Sequence, residues 1–362
     1  MGARSLPLVA HADAPPAPEL PPRPEGWGEG PPVTLRDGHG RALTYLRASI
    51  LDRCTMACVY CMPPGGEDDL APRPDMLSFA ELTTLVRALG RGGIRRVRLT
   101  GGEPLARRDV VGLVAMLATC PGPLELAMTT NGARLAPLAR PLRDAGLTSV
   151  NVSLDSLDPG RFARITRGGA LDEVVRGLHA ALDVGLDVKL NTVVLGGQNV
   201  DELGAITDFA WSLGIVPRFI ELMPVGEAAS LPAATFVPAA RMIEALEGRV
   251  TGGWAPSDGI RGPARYLKAS DGSGRKVGLI TAVSGTFCEG CNRLRLTSRG
   301  ALRGCLASRS ALSLRDLVRA GAGEADLLWA AAVAVGHKEV GHRFLDEGHL
   351  EHARVGMSLI GG

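Results

Sequence analysis

The sequence predicts an α/β fold: parallel strands joined by helices, followed by a carboxyl-terminal region of different rhythm. Three observations carry this expectation. From Leu43 onward, short apolar runs alternate with longer stretches of helical periodicity, the pattern of repeated strand–helix units. After Met223-Pro224 that alternation gives way to turn-forming motifs. The chain has 362 residues, 45% of them hydrophobic, enough to bury one large core or two smaller ones.

Taken in order, residues 1–36 come first. Between Asp13 and Pro32 they are crowded with Pro, Gly and Glu and poor in β-branched or aromatic residues. Such a composition does not offset the entropy of ordering, so a Pro-rich flexible leader is expected. Candidate strands follow at 43–49, 95–99, 124–128, 149–153, 188–194 and 217–222. Candidate helices begin near Ser78, Asp109, Leu135, Leu171 and Asp201, several with Ser or Asp placed to accept from first-turn amides. Residues 37–223 therefore make one α/β unit, and the strand count permits either an open doubly wound sheet or an incomplete barrel. In the remaining region, 224–362, Asp271-Gly272-Ser273-Gly274 and Ser298-Arg299-Gly300 read as hairpin turns and 312–335 as helix.

A formal net charge of +2 supplies little long-range attraction for a phosphate backbone, which argues against nucleic acid as the main partner. Lysine is confined to Lys189, Lys268, Lys276 and Lys338; arginine forks suit phosphate or carboxylate, but compositional bias is the better account of most of these arginines, so the general excess decides nothing. The amino terminus lacks a charged segment followed by an apolar run, and no stretch approaches the ~20 apolar residues of a membrane span. A cytoplasmic enzyme with no membrane partner is expected. Cysteine usage agrees with a reducing compartment: Cys54, Cys58, Cys61 and Cys288, Cys291, Cys305 form two tight clusters and only Cys120 stands apart. Close grouping favours metal over disulfides.

Cys54-Thr-Met-Ala-Cys58-Val-Tyr-Cys61 follows the first candidate strand, so its thiols belong to a loop at a strand's carboxyl end, where parallel α/β folds build active sites. Three thiolates can hold three irons of a [4Fe–4S] cube and leave the fourth open to a ligand. Structural zinc is the alternative, and it wants a fourth ligand that no nearby Cys or His supplies. After the second candidate strand comes Thr100-Gly101-Gly102-Glu103-Pro104, a turn whose glycines let backbone carbonyls approach a ligand closely.

The second trio, Cys288-Glu-Gly-Cys291 and Cys305, is again one thiolate short of a closed site. Zinc carries more weight here, because a distant His337 or His342 would complete its set. Arg293 and Arg295, two residues apart in an extended strand, project from one face and suit an anionic ligand, unless that face is solvated and salt-bridged.

C-x3-C-x2-C with an aromatic residue before the third cysteine, joined to the Gly-Gly-Glu-Pro turn, resembles the radical S-adenosylmethionine (SAM) superfamily. Within it, the second trio, Cys291-Asn-Arg293-Leu294-Arg295-Leu-Thr and the terminal Met357-Ser-Leu-Ile-Gly361-Gly362 resemble the GTP 3′,8-cyclase family, the molybdenum cofactor biosynthesis protein A family, from about Asp37 to the last residue. That resemblance implies an incomplete (β/α)6 TIM-type barrel, two [4Fe–4S] clusters held by the six clustered cysteines, and SAM as radical source. It implies removal of the 3′ hydrogen of GTP and closure onto C8, giving 3′,8-cyclo-7,8-dihydro-GTP.

Carried over residue by residue, Tyr60, Gly102, Ser153 and Met223 would hold SAM. Arg47, Arg98, Thr129, Lys189, Arg293, Leu294 and Arg295 would meet GTP. Arg293, Arg295, Gly361 and Gly362 would serve catalysis, the Gly-Gly tail reaching into the active site. Implied partners are a flavodoxin- or ferredoxin-like electron donor and a downstream cyclic pyranopterin monophosphate synthase, and a homodimer is compatible. Lys338-Glu339 stands where the family carries Lys-Pro. The rivals are another radical SAM enzyme with an auxiliary cluster, such as a peptide-modifying one, and a zinc-stabilised binding protein.

Overall fold

The structure, a computed structural model, describes residues 20–67, 70–122, 124–255, 262–308, 311–342, 344 and 356–360. Strands β1 (Tyr45–Ser49), β2 (Arg96–Thr100), β3 (Glu125–Thr130), β4 (Ser149–Ser153), β5 (Asp187–Val194) and β6 (Val216–Glu221) lie parallel, side by side, in chain order. Helix α1 (Phe79–Arg91) follows β1, α2 (Val110–Ala118) β2, α3 (Ala139–Asp144) β3, α4 (Pro159–Thr166) and α5 (Leu171–Asp183) β4, and α6 (Leu203–Ser212) β5. A doubly wound sheet reverses its strand order at a switch point. This one never does, which decides for the barrel.

Local chemistry explains most helix starts. Ser78 and Glu81 form a reciprocal capping box at α1, Glu81 N donating to Ser78 Oγ at 3.2 Å and Ser78 N to Glu81 Oε2 at 2.7 Å, worth about 1 kcal/mol. Asp109 does not cap α2: it adopts a left-handed conformation and its side chain makes no cap bond. Helix α4 is absent from the expected elements, yet Asp158 caps it by accepting from Arg161 N at 2.6 Å, with Pro159 in the first turn.

Beyond β6 come α7 (Ala239–Ala245), β7 (Val250–Trp254), β8 (Arg265–Ala269), β9 (Lys276–Ile280), β10 (Arg293–Leu296), β11 (Ala301–Arg303), β12 (Leu312–Ser313), α8 (Leu314–Arg319) and α9 (Glu324–Gly336). The sheet order is β12-β11-β10-β1-β2-β3-β4-β5-β6-β9-β8-β7, so the later chain extends both edges. β10 runs parallel to β1 and β9 parallel to β6, which occupies the edges that closure would have joined; the barrel is incomplete. Both glycine-containing turns join antiparallel pairs, β8 to β9 and β10 to β11. The expected helix at 312–335 is split because Gly321 (φ 81°) takes a left-handed turn and Gly323 opens α9.

Within the expected leader, residues from Leu20 onward pack on the fold. Trp27 meets Trp329 edge-on at 5.0 Å, Arg23 Nε donates to Asp326 Oδ1 at 2.8 Å, and Leu35 is buried. Two widely separated tryptophans, rather than local composition, order this stretch.

Candidate active site

Parallel strands buried on both faces usually read as continuous apolar runs. Here the parallel strands alternate. Leu46, Ala48, Val97, Leu99, Met128, Val150, Leu190 and Phe219 are buried on the helix-covered face. Register places Arg47 beside Arg98 and Arg295, Arg98 beside Ala127, Thr129 beside Asn151, Asn151 beside Lys189, and Asn191 beside Ser153 and Arg218. One face is thus grease and the other a polar interior. Arg47, Arg98, Thr129, Ser153, Lys189, Arg293 and Arg295, far apart in sequence, all fall on that polar face. Leu294 does not: its side chain is fully buried on the apolar face, so only its backbone is offered to the interior.

The interior concentrates positive charge. Burial pulls Arg47 down to about 10, opposed by Tyr45 and reinforced by Arg98, Arg293 and Arg218. Burial, then Arg47 and Arg293, push Arg295 well below its ordinary value. Arg98 is anchored by bonds from Nε to Tyr45 Oη (2.5 Å) and from Nη1 to the Met128 carbonyl (2.7 Å). Lys189 shares the face, but its ammonium pairs with half-exposed Asp187. Such a pair is worth about 0–1 kcal/mol, which a polyanion can displace.

Arg218, missed in the sequence, belongs to this group: burial and then Arg98 bring it down to about 10. Gly278 on β9 makes room for it, since a Cβ there would stand 2.7 Å from Arg218 Cγ. Its signal was an arginine in a strand whose only other charged residue is Glu221. Buried polar atoms nearly always find partners, and leaving one orphaned costs about 1–3 kcal/mol. On this single face the side-chain atoms Thr100 Oγ1, Thr129 Oγ1, Ser149 Oγ, Asn191 Oδ1 and Arg218 Nε and Nη2 all lack hydrogen-bond partners among the described residues. The face is made for a polar, anionic ligand.

The first cysteine loop leaves the end of β1 and rests on the last turn of α4, Ala57 N donating to Thr166 O at 3.1 Å and Val59 N to Ile165 O at 2.9 Å. Burial raises Cys54, carries Cys58 well up and takes Cys61 up to about 12, the neighbouring thiols adding to the last two. Thiols desolvated in this way, and set near Glu103 and Asp155 rather than cations, are costly as free thiolates and suit binding to metal.

The Gly-Gly-Glu-Pro turn lies against the same loop. A Cβ on Gly101 would be 2.2 Å from the Leu51 carbonyl oxygen, and one on Gly102 2.3 Å from that of Arg53, so only glycine fits. Glu103 is buried and accepts from Thr130 Oγ1, Asn131 N and Leu105 N at 2.7, 2.7 and 2.9 Å. Asn131 in turn donates to Thr55 Oγ1 at 2.9 Å, binding turn to cysteine loop. Tyr60 donates its hydroxyl to Asp155 Oδ2 at 2.7 Å. Burial lifts Asp155 to about 6 against the bonds from Tyr60 and Val193.

The second trio sits between β9 and the end of β11. Arg41 laces it down, donating to the carbonyls of Cys288 (2.7 Å), Val340 (2.6 Å) and Glu339 (2.6 Å). Burial opposes ionisation of Cys291, but Arg293 and Lys338 outweigh it and bring the thiol to about 7. Arg293 stacks over the Phe287 ring at 4.6 Å. His342 stacks on Phe344 at 4.2 Å and serves Cys288 through its backbone N–H. Ligands of one tetrahedral zinc crowd within about 4 Å of one another. Among the described residues no three His, Cys, Asp or Glu side chains gather as the ligands of a single ion. Thiolates that each hold a different iron of a cube need not crowd in that way.

Met223 packs in a small apolar cluster with Val225, Val283, Phe344 and Ile360. The chain end is therefore drawn inward: Arg295 Nη1 reaches the Ile360 carbonyl at 3.4 Å, and Ser358 Oγ donates to Glu67 Oε1 at 3.0 Å. Gly361 and Gly362 lie outside the described residues.

Comparison with known proteins matches residues 48–210 to the Radical SAM superfamily and residues 215–344 to Molybdenum Cofactor Synthesis C. A GTP 3′,8-cyclase of Pelotomaculum thermopropionicum is 42% identical over 91% of this chain and 100% of its own length. Those of Rhodopseudomonas palustris (43%; 92% and 98%) and Heliobacterium modesticaldum (44%; 90% and 99%) are similar throughout. Among solved structures, Streptococcus suis SuiB bound to precursor peptide SuiA is 18% identical, with a TM-score of 0.47 over 57% of this chain and 46% of that one.

Proposed function

The chain belongs to the GTP 3′,8-cyclase family of radical SAM enzymes, and from that premise we propose that it converts GTP to 3′,8-cyclo-7,8-dihydro-GTP, the first step of molybdenum cofactor biosynthesis. One observation carries the reading: a polar face of mutually repelling arginines and of hydroxyls that find no partner among the described residues, flanked by two incomplete thiol trios. When bound, a [4Fe–4S] cluster and SAM supply a 5′-deoxyadenosyl radical able to take the 3′ hydrogen of GTP. Cys54, Cys58 and Cys61 hold that cluster, and Tyr60, Gly102, Ser153 and Met223 hold SAM. Cys288, Cys291 and Cys305 hold a second cluster.

Arg47, Arg98, Lys189, Arg293 and Arg295 receive the nucleotide with Thr129 and the Leu294 backbone, and Arg218 joins them. Their charges are offset by the triphosphate, which relieves the repulsion that burial imposes. The inward path of the tail through Ser358 and Ile360 supports a catalytic place for Gly361 and Gly362.

A flavodoxin- or ferredoxin-like donor and a downstream cyclic pyranopterin monophosphate synthase are the proposed partners, and a homodimer is compatible. A reducing cytoplasm suits six thiols reserved for iron; no helix among the described residues is long and apolar enough to cross a membrane. The test is anaerobic incubation of reconstituted protein with SAM, dithionite and GTP. A nucleotide of unchanged mass that separates from GTP, formed together with 5′-deoxyadenosine, is expected. Deoxyadenosine with GTP unaltered would overturn the reading.

A further inference from the structure

Lys338 brings an ammonium into the second thiol trio from just beyond the end of α9. It is only 5% exposed, and its Nζ donates to Cys291 Sγ at 3.4 Å and to the Arg293 carbonyl at 2.7 Å. Cys305 also faces it, as does the cationic Arg41. Among the described residues no carboxylate pairs with this ammonium. Burying a lone cation is costly unless an anion compensates, and the groups placed to compensate this one are the sulfurs of Cys291 and Cys305. The segment is held in place by the Arg41 guanidinium, which donates to the Glu339 and Val340 carbonyls.

We propose that Lys338 is a positioning residue of the second site, its two bonds tying the cluster ligand Cys291 to the backbone of the substrate-binding Arg293, and its charge stabilising the more negative, reduced state of the cluster. This rests on the two-cluster reading above. Hydrogen bonds and positive charge at ligating sulfurs raise a cluster's reduction potential and fix ligand orientation. Lysine suits the task as a compact point charge that can serve a sulfur and a carbonyl at once. Arginine keeps the charge, glutamine keeps only hydrogen bonding, and methionine keeps neither.

The test uses full-length, anaerobically reconstituted protein in which Cys54, Cys58 and Cys61 are replaced by alanine, so that any cluster signal comes from the second trio. Iron content and a redox titration followed by electron paramagnetic resonance are measured for the parent, Lys338→Met, Lys338→Gln and Lys338→Arg. The expected result is a roughly tenfold shift of the one-electron equilibrium towards the oxidised state in Lys338→Met and Lys338→Gln, about 59 mV lower. Lys338→Arg should stay within about twofold of the parent. If Lys338→Met loses its iron, Lys338→Gln against Lys338→Arg decides, and equal iron and potential in those two overturns the proposal. An unchanged potential in Lys338→Met overturns it as well. Absence of any cluster in the parent would instead sink the two-cluster reading.

Discussion

The two cysteine loops present the same incomplete set of three thiols in opposite electrostatic surroundings. Around Cys54, Cys58 and Cys61 the neighbours are apolar, or are carboxyls that burial itself raises, such as Glu103 and Asp155. Around Cys291 they are cations, Arg293 and Lys338, strong enough to reverse the effect of burial. Guanidinium groups brace both loops through carbonyls, Arg167 at Ala57 and Met62 and Arg41 at Cys288, but among the described residues only the second has a cation, the Lys338 ammonium, donating to a cysteine sulfur. Ligand count alone cannot make two iron sites do different work; the charge packed against them can. The first surroundings suit a zwitterionic cofactor and the second a polyanion.

The largest expected effect is the separation of the two half-reactions. Cys54→Ala, Cys58→Ala or Cys61→Ala should reduce SAM cleavage to background, whereas Arg293→Ala or Arg295→Ala should leave cleavage intact. The arginine variants should lose at least roughly a hundredfold in kcat/KM for GTP cyclisation, about 3 kcal/mol. Deoxyadenosine and cyclised nucleotide counted in the same reaction test this, and normal cyclisation in Arg295→Ala would break the comparison. Arg218→Met sharpens it: KM for GTP should rise about tenfold, as for loss of one charge-assisted contact, with SAM cleavage unchanged.

A third, smaller effect concerns pH. Asp155 sits at about 6 in the folded chain against an ordinary value of 3.8, chiefly through burial. A raised carboxyl stabilises the fold below its unfolded value, and that stability is lost as pH rises through the folded one. The stability of the metal-free protein should therefore lose up to about 3 kcal/mol of Asp155's contribution from pH 4 to pH 7, and Asp155→Asn should flatten that part of the profile. A parallel pair of profiles would refute it. Smallest is Ser358→Ala, which removes one bond to Glu67 and should cost about 1 kcal/mol in holding the tail, read as a few-fold loss of kcat.

Much of this was legible because its signals are local. Six apolar runs sit within two residues of β1 to β6, and Ser78 with Glu81 announced α1. The cysteine spacings and the Gly-Gly-Glu-Pro turn need only short stretches of chain. Helix α4 carried its Asp-Pro start but was short. Arg218, Lys338 and the packing of Trp27 escaped because each acquires meaning from a partner far along the chain: Arg98, Cys291 and Trp329.

Residue order by itself determined the parallel strand–helix rhythm, the two thiol trios and the pair of arginines beside the second. Only the tertiary structure decided that the order of β1 to β6 never reverses, that the late strands β9 and β10 flank β6 and β1, and that cations meet Cys291 whereas buried carboxyls lie near the first trio. The reason is physical. Hydrogen-bonded periodicity and metal-ligand spacing act over a few residues, whereas burial and charge act through space, and space is set only once the sheet has brought distant strands into register.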